Sequence, residues 1–597
     1  MPSRIEDYAL IGDCHSAALV GKDGSIDWLC WPRFDSGACF AALLGEPEHG
    51  RWLIAPALPT RRVSRRYLPL TLVIETLYET DTGEAAIIDF MPIRDESPRL
   101  IRIVEGRRGR VSMQLELMIR FDYGSIVPWV RSVERGISAI GGPDRVRLRC
   151  DVELKGQDYR TVAQFEVQAG QREAFDLAWH PAHESEPVEV DPFQARDETE
   201  AWWRDWTGRH LVAGEWADVV ERSLITLKAL AYAPTGGLVA APTTSLPERE
   251  GGVRNWDYRI CWLRDATFTL MALLHAGYLR EATEWRQWLL RAVAGEPSKI
   301  QILYGLSGER RLHELELPWL PGYQGARPVR VGNGAAEQLQ LDVYGEVLDS
   351  MHQALRHGMD HDEDGWRVAR SLLKFLESNW DQPDEGIWEV RAGRRCFTHS
   401  RMMAWVAFDR GIKIAERFGL EGPLDRWRAV RDEIHAQVCR EGFDPELGSF
   451  VQFYGSKRLD ASLLLMPLVG FLPADDPRVR GTVEAIEKHL TVDGFVYRYA
   501  PDSEVDGLPP GEGAFLLCTF WLADCQSLLG RQADARQTFE RLLSVRNDVG
   551  LLSELYDPHA KRLLGNFPQG FSHVGLVNTA LNLAHGVSGP ASSRGQS

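Results

Sequence analysis

The sequence predicts a two-domain protein, with an N-terminal antiparallel β-sandwich followed by an (α/α)6 toroid barrel. Residues 1–195 carry short apolar runs separated by Gly, Asp and Pro, a pattern typical of a sandwich. From residue 215 onward, apolar residues recur at spacings of three and four, as they do on one face of a helix. About twelve such helical segments follow, which suits six antiparallel helix pairs that close into a ring.

Within the β domain, a hairpin is the clearest local prediction. The runs Thr71–Tyr78 and Ala85–Phe90 flank Thr80-Asp81-Thr82-Gly83, a turn-forming sequence. Further strands are predicted at Leu100–Val104, Val111–Ile119, Val146–Leu154 and Val162–Val167. A linker, residues 196–214, then carries a short predicted helix, Glu198–Trp206.

The barrel is predicted to span residues 215–586, and the small polar residues 587–597 are predicted to be disordered. Its helices are centred near residues 224, 270, 287, 346, 371, 408, 432, 463, 483, 521, 538 and 579. Loops at one end of such a barrel form the pocket, and charge and tryptophan gather in loops 242–265, 304–333, 380–397, 501–513 and 547–573. A helical repeat solenoid is the alternative, but the chain has no fixed repeat period.

Composition excludes several classes of partner. The net charge of −17 argues against nucleic acid and an anionic membrane surface, because both require a basic face. The first residues lack the basic and apolar regions of a signal peptide, and no apolar run reaches the length of a membrane span. The nine cysteines are scattered singly, which predicts a reducing compartment and neither a zinc site nor a disulfide framework. We therefore expect a cytoplasmic protein.

The stretch from Arg254 to Asp265 has the most unusual composition in the chain. It holds two tryptophans, two aspartates and three arginines within twelve positions. Aromatic faces stack on the C–H faces of a sugar ring while Asp and Arg bond its hydroxyl groups, so this composition suits a neutral polyol. A partly buried salt-bridge cluster at a domain junction is the alternative interpretation.

Two glutamates are candidates for glycosidic chemistry. Cleavage of a glycosidic bond requires one carboxylic acid that protonates the leaving oxygen and a second carboxylate that activates water or attacks carbon. Apolar and aromatic surroundings keep one such carboxyl protonated near neutral pH. Glu389, between Trp388 and Val390, and Glu554, after an apolar turn, meet this description. The alternatives are an edge-strand glutamate paired with Arg391 for the first and a capping or loop carboxylate for the second.

The other acidic and polar candidates are interpreted structurally. Glu512 precedes a predicted helix, where an anion commonly pairs with the helix dipole. Gln338, Asp342 and Glu346 are spaced by four and are predicted to share one helix face, lining the barrel interior or facing solvent. The chain has no Ser nucleophile elbow, Gly-rich phosphate loop or His-x-x-x-His pair, and no metal site is predicted.

A series of specific motifs runs through both predicted domains. The most specific are Ala241–Glu248, Arg254–Arg259 and Trp262–Asp265. The others are Ile5–Asp13, Asp23–Leu29, Arg327–Asn333, Gln338–Glu346, Trp388-Glu389 and Ser553-Glu554. In this order, and over nearly the full chain, they resemble the two-domain trehalase-like branch of the bacterial glucoamylase and trehalase family, glycoside hydrolase family 15.

The resemblance implies an inverting, exo-acting α-glucosidase. It implies that Glu389 is the general acid and Glu554 the general base, and that Arg264 and Asp265 bind hydroxyls of the terminal glucose. The implied sugar-binding set is completed by Trp256, Asp257, Trp262, Arg330 and Trp388. Fungal members carry a second Glu directly after the acid. This chain has Val390 there, which puts the usual contact with the leaving group in doubt.

Trehalose is the first expected substrate, because the two-domain branch includes trehalases, and maltooligosaccharides or other α-linked glucooligosaccharides come next. An inverting phosphorylase on the same kind of barrel and a sugar-binding protein without turnover are the alternatives. No cofactor is expected, and dependence on Mg²⁺ or phosphate is left open. The expected partner is a small carbohydrate rather than nucleic acid or a membrane, and the oligomeric state is left open.

Overall fold

The computed structural model of the protein describes residues 2–94, 96–500 and 506–585. The tail 587–597, predicted to be disordered, lies outside these residues. Strands precede residue 182, and helices dominate from residue 192 onward. The predicted fold class, an antiparallel β domain followed by a helical barrel, is confirmed.

As far as its residues are described, the N-terminal domain contains fifteen strands of one continuous antiparallel sheet. They are β1 Tyr8–Gly12, β2 Ala17–Gly21, β3 Ser25–Cys30, β4 Ala38–Phe40, β5 Arg51–Pro56, β6 Thr60–Tyr67, β7 Ile74–Thr80, β8 Gly83–Phe90, β9 Arg99–Met118, β10 Trp129–Val133, β11 Gly136–Gly141, β12 Asp144–Arg149, β13 Lys155–Gln157, β14 Arg160–Gln168 and β15 Arg172–Pro181. The main order is β1-β2-β3-β5-β9-β15-β12-β11-β10. Off this path, β4 pairs with β3. The strands β6, β7 and β8 pair with one another in that order, and β8 pairs with β9. Strand β13 pairs with β14, which in turn pairs with β9.

The 20-residue strand β9 joins the two halves of this sheet. Its first half pairs with β8 and β15, and its second half pairs with β5 and β14. The prediction of two separate strands here is wrong, because residues 107–110, three arginines and a glycine, lie exposed within one continuous strand. Gly109 has a φ of +63°, and a Cβ there would lie 2.2 Å from the carbonyl oxygen of Thr82. Glycine therefore lets the strand bend where the two halves meet.

The local strand predictions had mixed outcomes. The hairpin is confirmed, since β7 and β8 pair antiparallel on either side of the predicted turn. The run Val162–Val167 lies within β14 and is also confirmed. The run Val146–Leu154 is too long, because β12 ends at Arg149. Strand β15 was not predicted, since its polar residues interrupt the apolar run.

Helix α1, Pro192–Thr207, connects the two domains and contains the predicted helix Glu198–Trp206. The Asp191 carboxylate caps it by accepting a hydrogen bond from the backbone N–H of Phe193 at 2.8 Å. Proline suits the first helical turn because its missing N–H has no partner to lose there.

In the described part of the chain twelve helices follow, and every predicted centre falls in one of them or in the 3-10 turn 461–464 that leads into α9. They are α2 Ala217–Ala229, α3 Leu263–His275, α4 Leu279–Val293, α5 Asp342–Arg356, α6 Glu363–Leu376, α7 Thr398–Phe418, α8 Leu424–Glu441, α9 Leu465–Leu468, α10 Pro477–His489, α11 Leu516–Leu528, α12 Gln532–Ser544 and α13 Gly570–His585. Within the described residues, none of these helices is long and apolar enough for a membrane crossing.

Short strands occupy the loops between the helices. They are β16 Ala231–Tyr232, β17 Gly237–Leu238, β18 Cys261–Trp262, β19 Leu303–Tyr304, β20 Leu315–Glu316, β21 Arg330–Val331, β22 Phe443–Asp444, β23 Ser449–Phe450, β24 Thr491–Val492, β25 Phe495–Val496, β26 Ala514–Phe515, β27 Leu555–Asp557 and β28 Arg562–Leu564. All pair antiparallel, so they brace the loops rather than build a further sheet domain.

The helices form an inner and an outer ring. The inner ring runs α3, α5, α7, the turn 461–464 with α9, α11 and α13, and α13 packs back against α3. The outer helices α2, α4, α6, α8, α10 and α12 alternate with them along the chain. Helices α5, α7 and α11 are buried along almost their whole length, as expected for elements surrounded by neighbours.

The β domain packs against the loops that enter the inner helices. The indole Nε1 of Trp28 donates to the carbonyl of Pro242 at 2.8 Å. Arg65 forms an ion pair with Asp548 at 2.6 Å. Because residues 242 and 548 lie just before α3 and α13, the sheet supports the end of the barrel that carries these loops.

Candidate active site

A cavity opens among the loops that enter the inner helices. Its walls come from the segments before α3, α5, α7, α11 and α13. Seven of the nine predicted site residues line it: Trp256, Trp262, Arg264, Asp265, Trp388, Glu389 and Glu554. The loops in which charge and tryptophan gather therefore meet around one cavity.

Glu389 lies in a tight turn on the wall of this cavity. Its backbone adopts the left-handed region at φ +57°, and its N–H donates to the carbonyl of Gly386 at 3.1 Å. The indole Nε1 of Trp262 donates to Oε1 of Glu389 at 2.8 Å. Arg391 pairs with Glu314 instead, at 2.9 Å, so the alternative interpretation of Glu389 as the partner of Arg391 is wrong.

Glu554 lies at the buried end of the cavity, with 1% of its surface exposed. The phenol of Tyr258 donates to Oε1 at 2.6 Å, while Oε2 has no hydrogen-bond partner among the described residues. Burial and the neighbouring charge of Glu248 raise the pKa of Glu554 to about 8. A buried carboxylate oxygen without a protein partner is suited to bind water.

One short segment holds both carboxyl groups. Tyr258 bonds Glu554 and Trp262 bonds Glu389, and their rings meet edge to face with centroids 5.2 Å apart. Strand β18 leads from this segment directly into α3, whose packing in the inner ring holds the pair in place. The stretch predicted to bind the sugar therefore also orients the two candidate catalytic groups.

Arg264 and Asp265 occupy the first turn of α3. Nη1 of Arg264 donates to the carbonyl of Ile387 at 2.9 Å, and Nη2 lies 3.7 Å from Oε1 of Glu389. Burial raises the pKa of Asp265 to about 7, against the opposing effect of Arg264. Its carboxyl group can therefore donate as well as accept hydrogen bonds near neutral pH, which suits sugar hydroxyls.

The two tryptophans Trp388 and Trp256 form separate parts of the wall. Nε1 of Trp388 donates to the Asp460 carboxylate at 2.9 Å, and its ring meets Phe515 edge to face at 5.7 Å. Nε1 of Trp256 donates to Glu248 at 3.2 Å. Both indole N–H groups are thus bonded to carboxylates, which fixes the orientation of the rings.

Asp257 and Arg330 do not line the cavity. The Asp257 carboxylate accepts two hydrogen bonds from the guanidinium of Arg259, at 2.9 and 2.7 Å, and two more from the backbone N–H groups of Arg259 and Gly332. Arg330 donates to the carbonyls of Val253 and Asn255, both at 3.1 Å. Both side chains therefore brace the loops behind the cavity wall.

A buried cluster of ion pairs forms part of the cavity wall through Glu248, Arg254, Arg498 and Asp506, and the sequence indicated a salt bridge only for Arg254, in the stretch Arg254–Asp265. Arg498 pairs with Glu248 at 2.8 Å and with Glu512, and Arg254 lies 3.2 Å from Glu512 and 2.6 Å from Asp506. The interpretation of Glu512 as a dipole partner does not describe these contacts. Such pairs give no local signal, since Glu248 and Arg498 are 250 residues apart.

The prediction that Gln338 shares a helix face with Asp342 and Glu346 is wrong. Helix α5 begins at Asp342, and Gln338 lies in the preceding loop, where its amide donates to the carbonyl of Glu389 at 3.2 Å. Asp342 and Glu346 are both fully buried, as their interior position requires.

Within the described residues, no group of three or more His, Cys, Asp or Glu side chains is arranged to hold a metal ion. All nine cysteines are free thiols.

A cavity with two carboxyl groups in different surroundings and an Arg-Asp pair at its buried end is the arrangement of a glycoside hydrolase. The chain belongs to glycosyl hydrolases family 15, whose model matches residues 214–581. A second model, described as trehalase-like, N-terminal, matches residues 1–203. The resemblance to the two-domain branch is therefore confirmed.

Two relatives that match along nearly the whole chain are trehalases. The trehalase of Mycobacterium tuberculosis is 38% identical over 97% of this chain and 89% of its own length. The trehalase of Mycolicibacterium smegmatis is 38% identical over 97% of this chain and 91% of its own length. A solved bacterial glucoamylase complexed with acarbose has a TM-score of 0.74 at 14% identity, covering 100% of this chain and 97% of its own, and shares the fold.

Proposed function

We propose that this protein hydrolyses trehalose to two molecules of glucose by a single inverting displacement. The similarity to trehalases along both domains supports the substrate. The observation that carries the reaction is the pair of carboxyl groups in one cavity. Glu389 is held by Trp262, whereas Glu554 is held by Tyr258 with its second oxygen unpartnered within the described residues.

The terminal glucose enters the buried end of the cavity, where Arg264 and Asp265 bind its hydroxyl groups and Trp262 contacts its ring. Glu389 donates its proton to the glycosidic oxygen as the bond from that oxygen to the anomeric carbon breaks. Water attacks the same carbon from the opposite face, and Glu554 accepts its proton. One water molecule is consumed, and the retained glucose leaves as the β anomer.

Trehalose makes the stereochemistry directly measurable. Both of its anomeric carbons are α, so inversion at one of them releases one β-glucose and one α-glucose. Proton NMR of the first turnover products, before mutarotation, is expected to show the two anomers in equal amounts. Release of α-glucose alone contradicts inversion.

The same assay separates the alternative activities. Maltose, kojibiose, isomaltose and maltooligosaccharides are incubated beside trehalose. Cleavage of maltooligosaccharides with trehalose left intact favours a glucoamylase-type enzyme. Parallel reactions with added phosphate, added Mg²⁺ or EDTA test whether the activity depends on phosphate or on Mg²⁺. Glucose 1-phosphate that forms only when phosphate is present identifies phosphorolysis. Binding of trehalose without release of glucose identifies a sugar-binding protein.

We also propose a cytoplasmic location. The nine free thiols support it, because reducing compartments keep cysteines unpaired. Fractionation of the source cells, with the activity followed in each fraction, tests this proposal.

A further inference from the structure

We propose that Arg391, held by Glu314 and stacked on Trp256, binds the departing sugar and so determines which disaccharide is cut. This inference rests on the proposed function, since it assigns the second sugar of the same substrate.

The cavity has a buried end and an exposed end, and the departing sugar belongs at the exposed one. Glu554 and Asp265 are 1% and 6% exposed, whereas the side chain of Arg391 is 36% exposed. Glu389, with a side chain 23% exposed, lies between these extremes. Because the general acid stands at the bond that breaks, residues beyond it toward solvent meet the leaving group.

The position directly after Glu389 does not supply this contact. Val390 is 1% exposed, and its N–H donates to the carbonyl of Glu385 at 3.2 Å. An apolar side chain also lacks donors for sugar hydroxyls. Arg391 is the next residue that lines the cavity.

The Arg391 guanidinium is held in place on two sides. Nη2 donates to Oε2 of Glu314 at 2.9 Å, and Cζ lies 4.2 Å from the centroid of the Trp256 ring. The guanidinium of Arg330 lies 4.7 Å from the same centroid and pairs with Glu314 at 3.3 Å. The N–H of Gly334 also donates to Glu314, at 3.1 Å. This arrangement keeps the guanidinium ordered before a sugar arrives, which lowers the entropic cost of binding.

The backbone of Arg391 is fixed as well. Its N–H donates to the carbonyl of Asp506 at 2.8 Å, and the Asp506 carboxylate pairs with Arg254 at 2.6 Å. A guanidinium has five N–H groups, and Glu314 accepts from two of its nitrogens. The remaining donors suit hydroxyl groups of a neutral sugar, in positions set by the protein.

The test compares two substrates that share the retained glucose and differ in the leaving group. The leaving group of trehalose is a glucose unit. The leaving group of α-glucosyl fluoride is fluoride, which needs no second sugar site. Arg391→Ala is expected to lower the ratio of kcat/KM for trehalose to kcat/KM for α-glucosyl fluoride by about 10- to 100-fold. Arg391→Lys, which keeps the charge but loses the planar fork, is expected to lower the ratio by a smaller factor.

Arg394→Ala is the matched control. Arg394 lies three residues away, pairs with Glu385 at 2.9 Å, is half-exposed and does not line the cavity. The Arg394→Ala protein is expected to have the wild-type ratio of kcat/KM for trehalose to kcat/KM for α-glucosyl fluoride. Thermal melting verifies that all variants are folded. An unchanged ratio in both Arg391 variants overturns the assignment, including the case in which both activities fall together.

If trehalose is not the substrate, the same experiment gives a different result. Wild-type protein that cuts α-glucosyl fluoride but not trehalose contradicts the trehalose proposal. The ratio is then measured with whichever disaccharide of the panel is cut, and the role of Arg391 is tested on that leaving sugar.

Discussion

At the scale of single residues, Glu389 and Glu554 face one cavity but have different neighbours. An indole N–H contacts the first, and a phenol together with the charge of Glu248 acts on the second. Different surroundings are the usual means by which two carboxyl groups acquire different roles. The roles can therefore be separated by substitution.

Glu389→Gln is expected to lower kcat for trehalose by about 10²- to 10⁴-fold, since the leaving oxygen then departs without a proton. Hydrolysis of α-glucosyl fluoride is expected to survive, because fluoride leaves without protonation. Glu554→Gln is expected to lower the rate for both substrates by a similar factor, because both need activated water. Glucose release and a fluoride electrode measure the two reactions.

Thermal melting serves as the control for folding of both glutamine variants. Wild-type turnover of trehalose by the Glu389→Gln protein would contradict the role of Glu389 as the general acid. A Glu554→Gln protein that hydrolyses α-glucosyl fluoride at the wild-type rate would contradict the role of Glu554 as the general base.

At the scale of elements, the segment that leads into α3 couples the two carboxyl groups. Tyr258 and Trp262 lie on this segment with ring centroids 5.2 Å apart, and each bonds one of the glutamates. A change in this segment therefore acts on the ionisation of the site as well as on its shape.

Tyr258→Phe and Glu248→Gln are expected to shift the pH dependence of kcat/KM for trehalose in opposite directions. The base acts when ionised, so kcat/KM rises with pH through the pKa of Glu554, which is about 8. The Tyr258 hydrogen bond favours the ionised form, so its loss moves this acidic limb to higher pH. The charge of Glu248 disfavours ionisation, so its removal moves the limb to lower pH.

The measurement is kcat/KM for trehalose across about pH 5 to pH 9, which reports on the free enzyme. Trp256 keeps an acceptor in Glu248→Gln, so the indole wall is preserved. Shifts of both variants in the same direction would contradict the assignment of Glu554 as the titrating base.

At the scale of the whole molecule, the β domain takes part in positioning the site. Arg259 pairs with Asp257 on the barrel side and donates to the carbonyl of Ser36 in the β domain at 3.0 Å. Asp257 in turn accepts from Gly332, at the end of the loop that carries Arg330. The salt-bridge interpretation of the stretch therefore describes Arg254 and Arg259. Arg264 pairs with Asp265 and Glu389, and both Arg264 and Asp265 line the cavity.

Arg259→Met is expected to lower the unfolding free energy by about 3–5 kcal/mol, because it leaves Asp257 buried without its cationic partner. A lower kcat/KM for trehalose is expected as well, since the loop before α3 loses its anchor. Thermal melting and steady-state kinetics measure the two effects. An Arg259→Met protein as stable and as active as the wild type contradicts this role.

Arg562→Met is the matched control for the domain contact. Arg562 also bridges the domains, pairing with Glu6 at 2.6 Å, but these side chains are 14% and 24% exposed. A smaller loss of stability and little change in activity are expected, because partly exposed ion pairs contribute less.

Local patterns predicted most of this molecule. Helix periodicity depends on which residues are buried along one helix, so eleven of the twelve predicted centres fall in α-helices and the twelfth falls in the 3-10 turn 461–464. Seven of the nine residues predicted for the site also line the cavity. Strand β9 was divided because charged residues in the middle of a strand resemble a loop.

The partners of the site residues could not be predicted in the same way. Arg498 meets Glu248 across 250 residues, and Tyr258 meets Glu554 across 296. Such contacts exist only because distant loops converge at one end of the ring. The sequence of either partner gives no sign of the other, so Tyr258 and Arg498 were not singled out.

The packing of α13 against α3 has a consequence for synthesis of the chain. The β domain is complete once residue 181 has emerged from the ribosome, whereas the ring closes only when residues 570–585 arrive. Until then α3 lacks one neighbour, and the carbonyl of Ser553, beside Glu554, lacks the Ser572 hydroxyl that donates to it at 2.7 Å. We therefore expect a nascent chain to complete its sheet before its ring, and a chain truncated before α13 is expected to lack catalysis because its ring stays open.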